Sequence, residues 1–161
     1  MCRSTRARCA GFVALQVPFR GSPVADAVVG AKPLAAASMA LARMLRIGSG
    51  AGLRDLTTTA RIAWMTAHAP GVAETLRRVP VVCLATTLHP DTVRRGERLY
   101  LAAARWMEKR GAGPNDGLVA VDSALLPGAP HLVVPGSHLA SVSAGRGHDP
   151  VALVARVVGM V

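Results

Sequence analysis

Aromatic side chains are scarce in this 161-residue chain: two Trp, one Tyr and two Phe, 3% of the whole. Proteins that hold single-stranded nucleic acid stack bases on such rings, so that function has little to build on. Lysine is nearly absent. Only Lys32 and Lys109 stand among 19 basic residues, and the arginines are scattered rather than clustered. A net charge of +10 and a pI near 11.4 would otherwise suit nucleic acid or an anionic membrane surface. Without a basic stripe or stacking rings no nucleic-acid partner is expected, and the Ala-, Arg-, Gly- and Val-rich usage is what GC-rich coding produces. Cys2, Cys9 and Cys83 are odd in number and lack metal-ligand spacing, which argues against a disulfide framework and against a zinc site. No run approaches the roughly eighteen unbroken apolar residues of a membrane span. Arg3, Arg6 and Arg8 ahead of the apolar run Cys9 to Val17 imitate a signal peptide. That run is short, contains Gln16 and continues into Pro18, Phe19 and Arg20 instead of a small-residue cleavage site, so it reads as a buried strand. Localisation stays open.

What the chain has is small aliphatic residues. Hydrophobic residues reach 51%, enough for one domain with a core of Ala, Val and Leu. Three runs read as buried strands: Gly11 to Val17, Val79 to Leu88, and His131 to Pro135. They are near-continuous rather than alternating, which suits a parallel sheet covered on both faces. Cys83 lies in the second run and reads as a small core residue. Helical patterns lie between the runs. Ala25 to Ala31 is interrupted by Pro33, and Leu34 to Ile47 resumes and stops at Gly48-Ser-Gly-Ala-Gly52. Asp55 is expected to cap a helix through Thr66, closed by Ala69-Pro70-Gly71. Asp91 is expected to cap a long helix to about Arg110, with Val93, Tyr100, Ala103, Ala104 and Met107 inward and Arg94, Arg95, Arg98, Arg105 and Lys109 in water. Asp149-Pro150 opens a last helix, with Asp at the cap and Pro in the first turn. Strands separated by helices imply an α/β fold with about three parallel strands.

Three segments carry chemistry. The first, Val13-Ala-Leu-Gln-Val-Pro-Phe-Arg-Gly-Ser-Pro-Val-Ala-Asp26, is a strand that stops at Pro18, turns at Gly21 and enters a helix behind Ser22, a helix-cap residue. In the second, Gly113-Pro-Asn-Asp-Gly-Leu-Val-Ala-Val-Asp-Ser123, Asn-Asp-Gly is first a turn, because Gly117 tolerates positive φ and Asn and Asp bond their own backbone. The third, Leu132-Val-Val-Pro-Gly-Ser-His-Leu139, delivers His138 from an apolar strand onto a Gly/Ser loop before the last helix.

Together these segments resemble the second half of bacterial triacylglycerol lipases and related esterases of the α/β-hydrolase type. Val17-Pro-Phe-Arg-Gly-Ser22 is similar to their T-P-H-R-G-S turn, with Phe19 in place of His. Asn115-Asp-Gly-Leu-Val119 matches their N-D-G-L-V, and Asp149-Pro-Val-Ala-Leu153 resembles the start of their terminal helix. The resemblance covers most of residues 11 to 160. It implies a partial α/β-hydrolase fold, with residues 34–78 in the place of a helical cap or lid. It also implies Asp116 as the acid and His138 as the base of a Ser-Asp-His triad, 22 residues apart, with Asp122 as the alternative acid. A carboxylate on one imidazole nitrogen fixes the tautomer, so that the other nitrogen can take a proton from a serine. The reading therefore requires both loops at the same end of a parallel sheet.

The departures are as informative. The Gly-x-Ser-x-Gly elbow, which precedes acid and base in chain order, is absent. Ser49 sits in a helix-terminating loop with Ile47 in place of the first Gly. The stretch Ser141-Val-Ser-Ala-Gly145 follows the His, with no strand leading into it. Where these lipases often carry a calcium-binding Asp, two residues after the His, stands Ala140, so no metal is expected, and no cofactor. The expectation is one incomplete domain over residues 1–161, with 1–10 a non-native start. The nucleophilic half would be lost to a misplaced start codon, a truncated gene or a separate polypeptide. An ester or lipid is the expected substrate once that half is supplied. The alternative is a non-catalytic scaffold that self-associates through an exposed sheet edge.

Overall fold

The computed structural model describes residues 9–31, 52–91, 93, 95–144 and 149–161. The three apolar runs form β1 (Phe12–Leu15), β2 (Val81–Thr87) and β3 (His131–Pro135), all parallel, in the order β1-β2-β3. Register places Ala14 beside Cys83 and Cys83 beside His131. β2 is the central strand, buried from Val81 through Thr86, which is why its sequence does not alternate. β1 ends earlier than the apolar pattern suggests, because Gln16 turns to φ 52° and leaves extended geometry.

Side-chain alternation along β2 sorts the core into two layers. Val81 and Cys83 face Phe19, Leu126 and Ala129, with Met65, Val72 and Leu76 packed behind. Val82 and Leu84 face the opposite way onto Val157 and Leu153. Cys83 is fully buried, and burial pushes its thiol above the ordinary value, with a Leu126 backbone hydrogen bond opposing in part.

Among the described residues, helices separate the strands. Between β1 and β2 come α1 (Pro23–Gly30), α2 (Gly52–Asp55), α3 (Thr58–Ala67) and α4 (Ala69–Arg78). Between β2 and β3 come a 3₁₀ turn (Arg95–Glu97), α5 (Arg98–Glu108) and α6 (Val121–Ala124), and α7 (Pro150–Val158) follows β3. The expected helix Leu34 to Ile47 and its Gly-rich stop lie outside the described residues, apart from Gly52 at the head of α2.

Several boundaries differ from the sequence reading. Asp55 ends α2 instead of capping a longer helix. The chain breaks at Leu56-Thr57 because Asp26 of α1 holds the start of α3, its carboxylate accepting from Thr58 N at 2.8 Å and from Thr58 Oγ1 at 2.5 Å. Ala69-Pro70-Gly71 does not close a helix; it opens α4, since a Pro in the first turn gives up an N–H that has no intrahelical partner there. Glu74 on α4 pairs with Arg77 and Arg78 on the exposed face. The helix expected from Asp91 begins instead at Arg98, and of its predicted inner face Ala104 and Met107 are fully buried. α7 matches expectation, with Asp149 Oδ1 accepting from Ala152 N at 2.9 Å.

Candidate active site

The loop after α5 is built by its own side chains. Asn115 Oδ1 accepts from Gly117 N at 2.9 Å, and Asn115 Nδ2 donates to the Gly113 and Ala104 carbonyls at 3.0 and 3.2 Å. Gly117 adopts φ 93°, and a Cβ there would lie 2.6 Å from the Tyr100 carbonyl oxygen, so only glycine fits. Leu88 N donates to the Asn115 carbonyl at 2.8 Å, which fixes the loop to the chain leaving β2. The turn reading of Asn-Asp-Gly and the functional reading thus describe the same loop: the turn aims Asp116.

Asp116 is 1% exposed. Its Oδ1 accepts from the backbone N–H groups of Leu118 and Val119, at 2.9 and 2.8 Å. Its Oδ2 lies 2.9 Å from His138 Nδ1. The two loops also meet through backbone, with His138 N donating to the Asp116 carbonyl at 3.1 Å. The His loop leaves β3 beside the end of β2, because Gly136 N donates to the Thr87 carbonyl. Acid and imidazole therefore sit together beyond the carboxyl ends of β2 and β3, where ligands of parallel α/β sheets bind. The His138 side chain is 31% exposed, and among the described residues no group hydrogen-bonds its Nε2. A buried carboxylate on one ring nitrogen and an open second nitrogen form an arrangement that can accept a proton from a neighbouring hydroxyl.

Asp122, the alternative acid, lies on α6, exposed, with no hydrogen bond to His138. Ser22 caps α1, its Oγ accepting from Ala25 N at 3.3 Å and donating to the Leu118 carbonyl at 2.6 Å. Beside it Gly21 at φ 88° lets Thr57 and Thr58 approach; a Cβ there would lie 2.5 Å from Thr58 Cα. Ser141 Oγ is buried and donates to Gln16 Oε1 at 2.5 Å. Ser123 Oγ donates to the Gly21 carbonyl at 2.7 Å. Ser49, with the flanking Gly48 and Gly50, lies outside the described residues. Among those described, no serine hydroxyl bonds His138, and no group of three or more His, Cys, Asp or Glu residues is placed to hold a metal ion. Ala140 is buried.

Sequence reasoning passed over two polar side chains that complete the cluster. Gln16 and Thr86 are both buried at strand ends, and both reach Asp116 Oδ2, at 3.2 and 3.4 Å. Their signal was available: each is a polar residue at the C-terminal end of an otherwise apolar strand run. The cavities lie elsewhere. One of about 710 Å³ is lined by Arg20, Asp122, Leu126, His131 and Met160, a smaller one of about 230 Å³ by Phe12, Phe19, Trp64, Met65 and Leu126 near the opposite ends of the strands, and neither Asp116 nor His138 lines either.

Two solved structures are similar to this chain in fold. The lipase BlEst2 of Bacillus licheniformis in its mature form superposes with a TM-score of 0.55 at 20% identity, over 80% of this chain and 47% of that one. The metagenomic carboxyl esterase MGS0156 superposes with a TM-score of 0.56 at 19% identity, over 94% of this chain and 42% of that one. The chain has a partial α/β-hydrolase fold. It spans less than half the length of either of these hydrolase-fold structures. No family model and no curated protein sequence matches the chain. That fold accounts for the parallel sheet in the order β1-β2-β3 and for the helices that follow each strand.

Proposed function

We propose that this chain carries the acid and base of a carboxylic-ester hydrolase, and that the serine nucleophile and oxyanion donors, for which the 161 residues hold no Gly-x-Ser-x-Gly elbow, are supplied by residues other than these. The observation that supports the reading most is the 2.9 Å contact from the buried Asp116 Oδ2 to His138 Nδ1. Asp116 holds the imidazole in the Nδ1–H tautomer and stabilises the imidazolium; His138 Nε2 takes the proton of a serine as it attacks the ester carbonyl, then returns it to the leaving alkoxide. An acyl-enzyme also needs the serine and donors for its oxyanion, so the 161-residue chain alone is expected to hydrolyse esters at background rate. The substrate class is a carboxylic ester of a lipid or small alcohol.

The test is to express the chain together with its in-frame upstream coding sequence and to measure hydrolysis of short- and long-chain p-nitrophenyl esters. The longer protein should hydrolyse them, and His138→Ala should lower kcat about 10⁴-fold. Robust turnover by the short chain, abolished by His138→Ala, would overturn the placement of the nucleophile. Activity of the longer protein that ignores His138→Ala would overturn the assignment itself.

A second reading, a non-catalytic scaffold, draws on the sheet edges. Among the described residues β1 and β3 are both outer strands, and an open edge offers unpaired N–H and C=O groups to a second copy. Concentration-dependent dimerisation of an inactive chain, seen by analytical ultracentrifugation, would favour it.

A further inference from the structure

Gln16 is the only described non-glycine residue with positive φ, 52°, and it is 2% exposed. L side chains rarely take that backbone conformation, and one that does so at a site is held there by what its side chain does. Its amide joins four segments. Nε2 lies 3.2 Å from Asp116 Oδ2, 3.1 Å from the Ser137 carbonyl and 2.5 Å from Thr86 Oγ1. Oε1 accepts from Ser141 Oγ at 2.5 Å. A carboxylate and a carbonyl accept only, so the nitrogen must face them and the oxygen must face the serine; chemistry fixes the amide orientation.

We propose that Gln16 is the positioning residue of the acid–base pair, setting both the rotation of the Asp116 carboxylate and the seat of the His138 loop. The inference rests on the reading of Asp116 and His138 as acid and base. Two backbone N–H groups pin Oδ1, but they leave the carboxylate free to rock about its Cβ–Cγ bond. Gln16 Nε2, with Thr86 Oγ1 behind it, takes the side of Oδ2 that does not face the imidazole. The remaining acceptor direction of Oδ2 then points at Nδ1. Through the Ser137 carbonyl and the Ser141 hydroxyl the same amide grips the His loop on both sides of His138. Gln16 touches neither the His138 ring nor any reacting atom; it acts through Asp116.

The experiment uses the full chain with ¹⁵N-labelled histidine rings, at a pH where the His138 ring is neutral, and reads its tautomer by NMR. Signals of His138 are located by their loss in His138→Gln. In the wild type the neutral ring should carry its proton on Nδ1. Gln16→Leu removes the amide, and Gln16→Asn withdraws it by one methylene while keeping a residue that tolerates positive φ. In either variant, with an unchanged backbone amide spectrum elsewhere, the Nδ1–H to Nε2–H ratio should fall roughly fivefold to tenfold, the equivalent of one buried hydrogen bond. An unchanged ratio in a folded variant would overturn the proposal and leave Gln16 a packing residue, as would failure of both variants to fold. If the wild type lacks the Nδ1–H form, or Asp116→Asn leaves it unaltered, the acid–base reading fails first, whatever Gln16 does.

Discussion

Replacing Asp116 by Asn tests the site with almost no change of shape, and the hydrogen bonds dictate how the amide must sit. Oδ1 receives two backbone N–H groups, from Leu118 and Val119. Turning the new NH₂ toward them would strand two buried donors, at about 1–3 kcal/mol each. The amide oxygen therefore stays at the Oδ1 position and Nδ2 takes the place of Oδ2. There it faces His138 Nδ1, Gln16 Nε2 and Thr86 Oγ1. Two of these contacts adapt. Thr86 Oγ1 can accept, and His138 can accept too if it moves its proton to Nε2. Gln16 cannot accept through nitrogen, but its two N–H groups still have the Ser137 carbonyl and Thr86 Oγ1. The net loss is one hydrogen bond to a charged group, about 2 kcal/mol. For a domain of this size that is a fall in Tm of about 4–8 °C.

The chemical consequence is larger than the structural one. Under the proposed function, His138 with its proton on Nε2 would present a donor to the serine and could not act as a base. In the longer hydrolase proposed above, kcat should then drop about 10⁴-fold, equivalent to about 5.5 kcal/mol in the barrier. The assay on the 161-residue chain is the histidine tautomer by ¹⁵N NMR beside a thermal melt. Persistence of the Nδ1–H form in the Asn variant would refute the reasoning, because it would mean that Asp116 does not receive that proton. A stability change below about 0.5 kcal/mol would likewise refute the claimed hydrogen bond from Gln16 to the carboxylate.

Two further outcomes follow from the frame around the site. Gly117→Ala places a Cβ 2.6 Å from the Tyr100 carbonyl oxygen at φ 93°, so it should destabilise the fold by at least about 2 kcal/mol and release the Asp116 loop, read as lost amide-exchange protection at Leu118 and Val119. Cys83 has its thiol raised by burial above the ordinary 9.0, so its neutral form is the one the fold favours. That contribution is fully present below pH 9.0 and is lost as pH climbs through the higher folded value, so urea midpoints should decline above pH 9 and less steeply in Cys83→Ala. At pH 8 a thiol reagent should label exposed Cys9 in the native chain and reach Cys83 only on unfolding.

The sheet was legible because its physics is local. A central parallel strand must be apolar on both faces, and Val81 to Ala85 is; a helix start needs an acceptor at its cap, and Ser22 and Asp149 supply one. The two loops that bring Asp116 and His138 together were legible because each is shaped by its own residues, Asn115-Asp-Gly117 by side-chain-to-backbone bonds and Gly136-Ser-His138 by the end of β3. Helix starts set from a distance were not. The break before α3 depends on Asp26, 32 residues upstream of Thr58, and no window around Thr58 contains it. Gln16 shows the same limit at the site. Read in sequence it is a polar flaw in an apolar run; in space it meets Thr86, Asp116, Ser137 and Ser141, which lie 70 to 125 residues away. A polar residue that interrupts a buried strand at its carboxyl end must find partners there or destabilise the sheet. In a parallel α/β sheet that end is also where the functional loops converge. Polar residues at the carboxyl ends of apolar strands are therefore the positions at which a sequence of this type can be searched for second members of a site.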